Sequence, residues 1–134
     1  MQVQPYLFFN GRADEALAFY KKTIGAQEQM LMRFKDNPDK SNAPPSVKPE
    51  SVMHMAFKVG DTLCMGSDGM NSGKTDFKGF ALSLDPRSEE EAKKMFGALS
   101  EGGKVEMPLG KTFFAKAFGM VTDKFGVTWM INVQ

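Results

Sequence analysis

The sequence predicts an α+β protein built from two tandem modules, each with the element order strand, helix and three further strands. The first observation behind this prediction is a repeated hairpin. Residues 118–134 form two β-rich runs around a turn at 123–126 whose last position is a glycine, a pattern typical of a β-hairpin. A similar pair of runs at 52–67 surrounds Gly60, and the shift from Gly60 to Gly126 is 126 − 60 = 66 residues.

The second observation is that the beginnings of the two halves also align. Residues 6–12 match residues 81–87 with a shift of 87 − 12 = 75 residues. The proline-rich loop at 35–50 accounts for the difference of 75 − 66 = 9 residues between the two shifts. Few residues are identical between the two halves, so the repeat is inferred from the order of the predicted elements. We predict a single domain over 1–134, with module 1 at about 1–70 and module 2 at about 77–134.

Module 1 contains one helix and four strands. The predicted strands are at 3–9, 27–34, 52–59 and 62–67, and the helix is at 12–24. Gly25 is the expected end of this helix, since glycine adopts the left-handed conformation that closes many helices. Four prolines exclude a regular element from the loop at 35–50. We interpret this loop as a surface insertion, and a mobile lid is the alternative.

Module 2 repeats this order after a glycine-rich linking loop at 68–78. Its predicted strands are at 80–84 and 105–109, followed by a loop at 111–117 and the C-terminal hairpin. Ser88 and Glu91 have the spacing of a capping box and predict the start of the second helix. An apolar stripe of helical period follows, formed by Ala92, Met95, Phe96 and Leu99.

The composition argues against several classes of partner. Basic and acidic residues nearly balance, at 17 against 16, which disfavours a nucleic-acid or membrane surface. The single cysteine, Cys64, excludes an internal disulfide, and its position inside a strand predicts a small buried side chain. Neither a long apolar run nor a secretory leader pattern is present, so we expect a cytoplasmic protein. Eleven methionines and twelve phenylalanines predict adaptable apolar surface in the core or around a cavity.

The chain resembles the vicinal oxygen chelate superfamily, and within it the PhnB-like branch. The matching segments are residues 5–11, 15–22, 53–55, 107–114 and 118–132. The resemblance covers the whole chain and implies a cupped mixed sheet with helices on its outer face. It also implies a homodimer, because cups in this superfamily are commonly completed across subunits. Relatives in this branch carry the label of a demethylubiquinone methyltransferase. We discount that activity, since no glycine-rich loop opens a helix with an acidic residue about 20 positions on.

The resemblance also implies where a metal would bind. Metal-dependent members take His and Glu ligands from the first and last strands of each module. The matching positions here are Pro5, Cys64 or Met65, Phe80 and Met130. None of these side chains offers the imidazole or carboxylate that a divalent catalytic metal prefers. We therefore expect a cup without a metal ion and without another cofactor.

His54 is the only histidine and the main candidate for chemistry. Side chains alternate between the two faces of a strand. If Met55 and Phe57 pack under a helix, His54 faces the cup. A histidine there is a general base or a ligand donor, and the alternative is a structural bond to a neighbouring strand or loop. Asp68 is the nearest carboxylate and completes a candidate acid–base pair. The alternative for Asp68 is loop capping.

Other candidates are ligand-binding residues. Arg33 and Lys111 are the basic side chains predicted to hold an anionic ligand, with solvated surface charge as the alternative. Phe113 and Phe114 predict a pocket wall or a subunit contact. The remaining candidates for the ligand site are Ser67, Phe80 and Met130. Trp129 and Ile131 are expected beneath a helix, since they alternate with the cup-facing residues of their strand.

Two functions are compatible with these residues. The first is binding of a small organic molecule in the metal-free cup, with no activity assigned. The second is an enzyme of the glyoxalase and dioxygenase superfamily that acts on a small metabolite, with His54 as acid, base or ligand. The aromatic and methionine content favours the first function, because it suits an apolar and adaptable pocket.

Overall fold

A computed structural model describes residues 1–39, 47–69 and 74–134 of the chain. The chain divides into two compact units, Met1–Thr75 and Asp76–Gln134, which we call unit 1 and unit 2. Each unit contains a four-stranded sheet and one α-helix. The predicted α+β class, with strand, helix and three strands occurring twice, is confirmed.

Unit 1 forms a mixed sheet with the strand order β1-β4-β3-β2. Its elements are β1 (Tyr6–Phe8), α1 (Ala13–Ile24), β2 (Gln27–Arg33), β3 (Val52–Val59) and β4 (Thr62–Ser67). β1 runs parallel to β4, and the other pairs are antiparallel. The hairpin of β3 and β4 has the bounds that the sequence predicts.

Unit 2 repeats this topology with the strand order β5-β8-β7-β6. Its elements are β5 (Leu82–Leu84), α2 (Glu89–Ser100), β6 (Lys104–Gly110), β7 (Ala117–Thr122) and β8 (Thr128–Val133). β5 runs parallel to β8, as β1 does to β4, and the remaining pairs are antiparallel. The identical order and direction of strands support the duplication inferred from the sequence.

The first strand of each unit is shorter than predicted. β1 covers three residues of the predicted 3–9, because Pro5 has no N–H to continue the ladder, although its carbonyl still accepts from the Met65 amide at 2.9 Å. β5 likewise covers three residues of the predicted 80–84. These strands lie at the edges of their sheets, where pairing on one side gives less support to a long strand.

The loop predicted at 35–50 is more ordered at its base than expected. A 3₁₀-helix, Phe34–Asp36, overlaps its start. The Phe34 amide donates to the Ser51 carbonyl at 3.1 Å and the Lys35 amide to the Pro49 carbonyl at 3.0 Å, so the two ends of the loop pair with each other. The prediction of an insertion or a lid falls largely on residues 40–46, outside the described residues. Part of the predicted linking loop, at 70–73, also lies outside them.

The core of unit 1 lies between α1 and one face of its sheet. Leu7, Met55 and Phe57 are fully buried there, and the Tyr20 ring of α1 stacks on Phe57 at a centroid distance of 6.0 Å. The predicted helix-facing side of β3 is therefore confirmed. The helix ends where predicted, because Gly25 has a left-handed backbone with φ of 68° and donates to the Tyr20 carbonyl.

The core of unit 2 lies beneath α2, which buries Ala92 and Leu99. Trp129 and Ile131 of β8 are buried, and they alternate with half-buried residues at 128, 130 and 132, as predicted. The predicted capping box is half formed. The Ser88 Oγ accepts from the Glu91 amide at 3.1 Å, but the Glu91 carboxylate accepts from the Arg87 amide instead of Ser88. Within the described part of the chain, neither helix is long and apolar enough to cross a membrane.

Candidate functional site

Among the described residues of unit 1, one face of the sheet has no helix of that unit packed on it. β1 shows the two faces directly, because Leu7 is buried toward α1 whereas Tyr6 and Phe8 are 37% and 57% exposed. Strand register extends this second face: Tyr6 pairs with Met65, which pairs in turn with Ala56 of β3. His54 lies two residues from Ala56 and so points to the same side. We call this surface the open face, and its members are Tyr6, Phe8, Met32, His54 and Met65.

A hydrogen bond joins two residues of the open face. The Tyr6 Oη and the His54 Nδ1 are 3.0 Å apart, and the ring centroids lie 5.5 Å apart. Phe8 extends the cluster, with its ring centroid 5.0 Å from that of Tyr6. Since Nδ1 is engaged by Tyr6, Nε2 is the ring nitrogen without a hydrogen-bond partner among the described residues. This bond crosses β4 to reach β1, so it is not the predicted bond to a neighbouring strand or loop, and the role of His54 stays a prediction.

Asp68 does not contact His54 among the described residues. Asp68 is 4% exposed, and its carboxylate accepts hydrogen bonds from three backbone amides. Oδ1 accepts from the Gly11 and Ala13 amides at 2.9 Å each, and Oδ2 accepts from the Val52 amide at 2.8 Å. These contacts match the alternative of loop capping, extended to the start of α1. An acid–base pair of His54 and Asp68 stays a prediction that this geometry does not favour.

Two other candidates from unit 1, Arg33 and Ser67, have structural partners, and Cys64 is buried. The Arg33 fork binds both oxygens of Asp14, at 2.8 and 2.9 Å, and this hydrogen bond raises the pKa of Arg33. Ser67 is buried and its Oγ accepts from the Gly69 amide at 3.0 Å. Cys64 is buried as predicted, and desolvation raises the pKa of its thiol to about 11. Contact of Arg33 or Ser67 with a ligand stays a prediction.

The candidates from unit 2 are mostly exposed. Phe80 and Phe114 are about half exposed, Phe113 is fully exposed, and Met130 is half-buried. The Phe114 ring packs edge-on against both Phe113 and Phe118, with centroid distances of 5.2 and 5.1 Å. Lys111 precedes these aromatic rings in the same loop and is exposed. Their contact with a ligand or a subunit also stays a prediction.

Comparison with known families and proteins identifies the chain. Residues 1–132 match the sequence model of the family described as 3-demethylubiquinone-9 3-methyltransferase. The chain belongs to this family. The PhnB-like protein is 40% identical to Protein YjdN of Escherichia coli K12 over 140 residues, which cover 99% of this chain and 95% of the relative. The predicted PhnB-like family is confirmed.

Solved structures agree with this assignment. Protein PA1353 from Pseudomonas aeruginosa is 40% identical and superposes with a TM-score of 0.87, over 100% of this chain and 98% of its own. A putative 3-demethylubiquinone-9 3-methyltransferase, a PhnB protein from Bacillus cereus, is 28% identical with a TM-score of 0.82 over the whole of both chains. A glyoxalase/bleomycin resistance protein/dioxygenase family enzyme from Burkholderia phytofirmans, 16% identical with a TM-score of 0.61 over 98% of this chain and 94% of its own, shows the shared fold.

The donor set of the PhnB-like protein does not fit the divalent metal that the superfamily implies. Met65, one of the expected ligand positions, lies on the open face and offers only a thioether sulfur. Cys64 is buried, and its raised pKa keeps it a neutral thiol. Phe80 and Met130 offer a phenyl ring and a second thioether. In the described ranges, no three His, Cys, Asp or Glu side chains are grouped so that they could hold a metal ion. A divalent catalytic metal prefers nitrogen and oxygen donors, so these residues do not form such a site.

Tyr6 and Phe8 of the open face are not among the candidates predicted from the sequence. The alternation of side chains along a strand could have indicated them. A strand that buries Leu7 presents Tyr6 and Phe8 on its other face. The contact between Tyr6 and His54 could not be predicted from the sequence. The two residues are 48 positions apart, and β4 lies between their two strands.

Proposed function

We propose that this PhnB-like protein binds a small, flat organic molecule on the open face of unit 1. The observation that carries this proposal is the Tyr6–His54 hydrogen bond of 3.0 Å, set within an exposed cluster of aromatic rings. Unpaired exposed aromatic residues are common on protein surfaces, but an exposed ring cluster with a fixed polar pair resembles the lining of a ligand site.

The apolar part of the open face supports binding of a flat ring. Tyr6 and Phe8 offer ring faces and edges, which favour offset or edge-on contacts with another ring. Met32 and Met65 border them, and the flexible thioether chains adapt to ligands of different shape. The helix-facing side of the same sheet is filled by the core, so a ligand has access to this side alone.

The polar part of the open face defines what the ligand carries. If Tyr6 donates to Nδ1, the His54 Nε2 bears a proton and donates to a ligand carbonyl. If Nδ1 donates to Tyr6, Nε2 accepts from a ligand hydroxyl. In both tautomers the hydrogen bond holds the imidazole in one orientation. The matching ligand is therefore an aromatic or conjugated molecule with a carbonyl or hydroxyl group at its edge.

The same pair supports acid–base catalysis as a second candidate function. An imidazole oriented by a phenol can take a proton from a bound molecule at Nε2 and return it. This function is tested by exchange of solvent deuterium into the methyl group of 4-hydroxyacetophenone, whose protons lie next to a carbonyl. Exchange above the rate in buffer, lost in His54→Gln, supports catalysis. Exchange at the rate in buffer leaves binding as the function and removes this candidate.

The single histidine provides a direct test of binding. Because the chain has one histidine, its Cε1–H proton gives one histidine signal in an NMR spectrum of the full chain. We expect coumarin, acetophenone or 4-hydroxyacetophenone at millimolar concentration to shift this signal in a saturable way. Tyr6→Phe should weaken the binding roughly fivefold, since it removes the hydroxyl that orients the imidazole. If none of the three probes moves the signal, the proposal is wrong.

The matched control is Tyr20→Phe, which deletes the same atom from the other tyrosine. Tyr20 is fully buried beneath the sheet face that packs on α1, so this change should leave the affinity of the open face unaltered. Equal weakening by Tyr6→Phe and Tyr20→Phe would show a general loss of structure and contradict a specific role for Tyr6. Circular dichroism of each variant confirms that the fold is kept.

The assembly is also part of the proposal. We expect the predicted single domain of two modules to form a homodimer, with a small molecule as its ligand and the cytoplasm as its compartment. Exposed aromatic side chains outside the open face, such as Phe113 and Phe114, support an apolar contact with a second copy. Sedimentation velocity at micromolar concentration should give the mass of two chains. A single-chain mass at all concentrations would contradict the dimer without affecting the binding test.

A further inference from the structure

Unit 2 contains a cavity on the helix side of its sheet, and no residue of the proposed open face contributes to it. Residues 89–97 of α2 lie on one side of it, and the end of β6, the start of β7 and the loop that joins them lie on the other. Its volume is about 460 Å³, which is within the range of small-molecule sites. From its lining we infer that this cavity binds a small amphipathic organic anion, with an apolar body and a carboxylate or phosphate at one end.

The floor of the cavity is apolar and closely packed. Phe96 of α2 and Leu109 of β6 line it, and both side chains are half-buried. A Cβ added to Gly119 of β7 would lie 2.8 Å from the Phe96 ring and 2.9 Å from the Leu109 Cα. Glycine at 119 therefore lets the helix, β6 and β7 approach closely. The result is a firm apolar surface that suits a short aliphatic or aromatic chain.

Two further glycines leave the cavity open. Gly97 and Gly110 both line it, and a Cβ built at either position would meet no atom within 4 Å. Gly97 lies inside α2, where glycine costs stability relative to alanine. Because Gly97 lines the cavity and a Cβ there meets open space, we expect a larger side chain at 97 to take up part of its volume. The absence of side chains at these two positions therefore leaves volume for a ligand.

The charge around the cavity is positive. Three lysines line it, namely Lys93 of α2 and Lys111 and Lys116 of the loop, against a single carboxylate, Glu89. Within the described ranges none of the three ammonium groups forms an ion pair or a hydrogen bond. Three unpaired cations around an apolar floor complement a ligand with a charged end and an apolar body.

Hydrogen bonds of the backbone hold the loop that carries Lys111 and Lys116. The Lys116 amide donates to the Val133 carbonyl at 2.8 Å, which joins the end of the loop to β8. Within the loop, the Thr112 amide donates to the Ala115 carbonyl at 3.1 Å, and the Thr112 hydroxyl accepts from the Ala115 amide at 3.1 Å. These bonds fix the loop backbone between Lys111 and Lys116. The Cα atoms of the two lysines therefore have defined positions at the rim of the cavity.

The test uses amide signals of the two cavity glycines in the full chain. Octanoate and hexyl phosphate serve as carboxylate and phosphate probes, and hexanol is the neutral probe. We expect at least one anion to shift the amides of Gly97 and Gly110 in a saturable way, with an affinity roughly tenfold above that of hexanol. The anion that binds more tightly identifies the preferred head group. The affinity should fall as the salt concentration rises, because the lysines are exposed.

Two variants locate the site. Lys93→Gln should weaken binding of the anion roughly fivefold. Lys94→Gln is the matched control, because Lys94 is the next residue of α2, is also exposed and does not line the cavity. Gly97→Leu should abolish binding by filling the cavity without changing its charge. The inference is overturned if neither anion shifts the glycine amides, if hexanol binds equally well, or if Lys94→Gln weakens binding as much as Lys93→Gln.

Discussion

The helices of the two units begin in equivalent places but are capped in different ways. In unit 2 the first-turn amide of Glu91 is bound by the hydroxyl of Ser88, three residues away. In unit 1 the residue before the helix, Arg12, makes no capping bond with its side chain. The Ala13 amide is bound instead by Asp68, which lies 55 residues further along the chain. The same topology therefore uses a local cap in one unit and a tertiary cap in the other.

A second buried carboxylate makes this contrast clearer. Asp123 of unit 2 accepts from the Phe125 and Val127 amides and from the Trp129 Nε1, all within six residues. Asp123 therefore organises one hairpin. Asp68 binds Gly11, Ala13 and Val52, so it joins the end of β4 to the start of α1 and the start of β3. The loss of Asp68 should thus affect the tertiary structure of unit 1, and the loss of Asp123 mainly one turn.

The largest expected effect is that of Asp68→Ala. It removes the acceptor of three amides, and those of Ala13 and Val52 belong to fully buried residues. Since a buried donor without a partner costs about 1–3 kcal/mol, we expect a loss of about 3 kcal/mol in the free energy of unfolding. Urea denaturation followed by circular dichroism measures it.

Asp61→Ala is the control for this prediction. Asp61 is an exposed aspartate in the turn between β3 and β4, so its removal should change the free energy of unfolding by less than about 0.5 kcal/mol. If Asp68→Ala were as mild as Asp61→Ala, the three backbone bonds would not stabilise unit 1 and the contrast between the units would fail.

The second largest effect is expected for Asp123→Ala. Two amides and the indole N–H lose an acceptor, but two backbone bonds still close the turn, between Asp123 and Val127 and between Gly126 and Asp123. We expect a loss of about 2 kcal/mol. Trp129 is the only tryptophan, so its fluorescence reports on this site directly. Asp123→Asn should lose less, since the amide oxygen can still accept. A cost above that of Asp68→Ala would reverse the predicted order.

Predictability from the sequence follows the same division between local and tertiary contacts. Both hairpins, both helices and the faces of β3 and β8 were predicted, because each depends on residues a few positions apart. Ser88 was recognised as a cap for the same reason. The role of Asp68 was only an alternative, and the Tyr6–His54 contact was not predicted, because both require strands to be brought together. The cavity of unit 2 escaped prediction as well, since residues of α2, β6 and a loop form it jointly.

A smaller loss is expected for Ser88→Ala in the local cap of unit 2. Removing a serine cap typically costs about 1 kcal/mol, and the single bond to the Glu91 amide at 3.1 Å is in line with that figure. The matched control is Ser100→Ala at the other end of α2, whose hydroxyl bonds only the Gly97 carbonyl one turn back. This control should cost less than about 0.5 kcal/mol. Equal losses in thermal denaturation would show that Ser88 does not act as a cap.

The smallest effect, and the only gain, is expected for Gly97→Ala. The position lies within α2, and a Cβ there would meet no atom within 4 Å, so alanine adds helix propensity without a clash. The free energy of unfolding should rise by about 0.5–1 kcal/mol. Since Gly97 lines the lysine-lined cavity, we expect the same variant to bind octanoate or hexyl phosphate less tightly. A gain in stability together with weaker binding would show that α2 gives up stability at this glycine to keep the cavity open. A variant that gains stability and binds the anions unchanged would instead show that the cavity does not need glycine at 97.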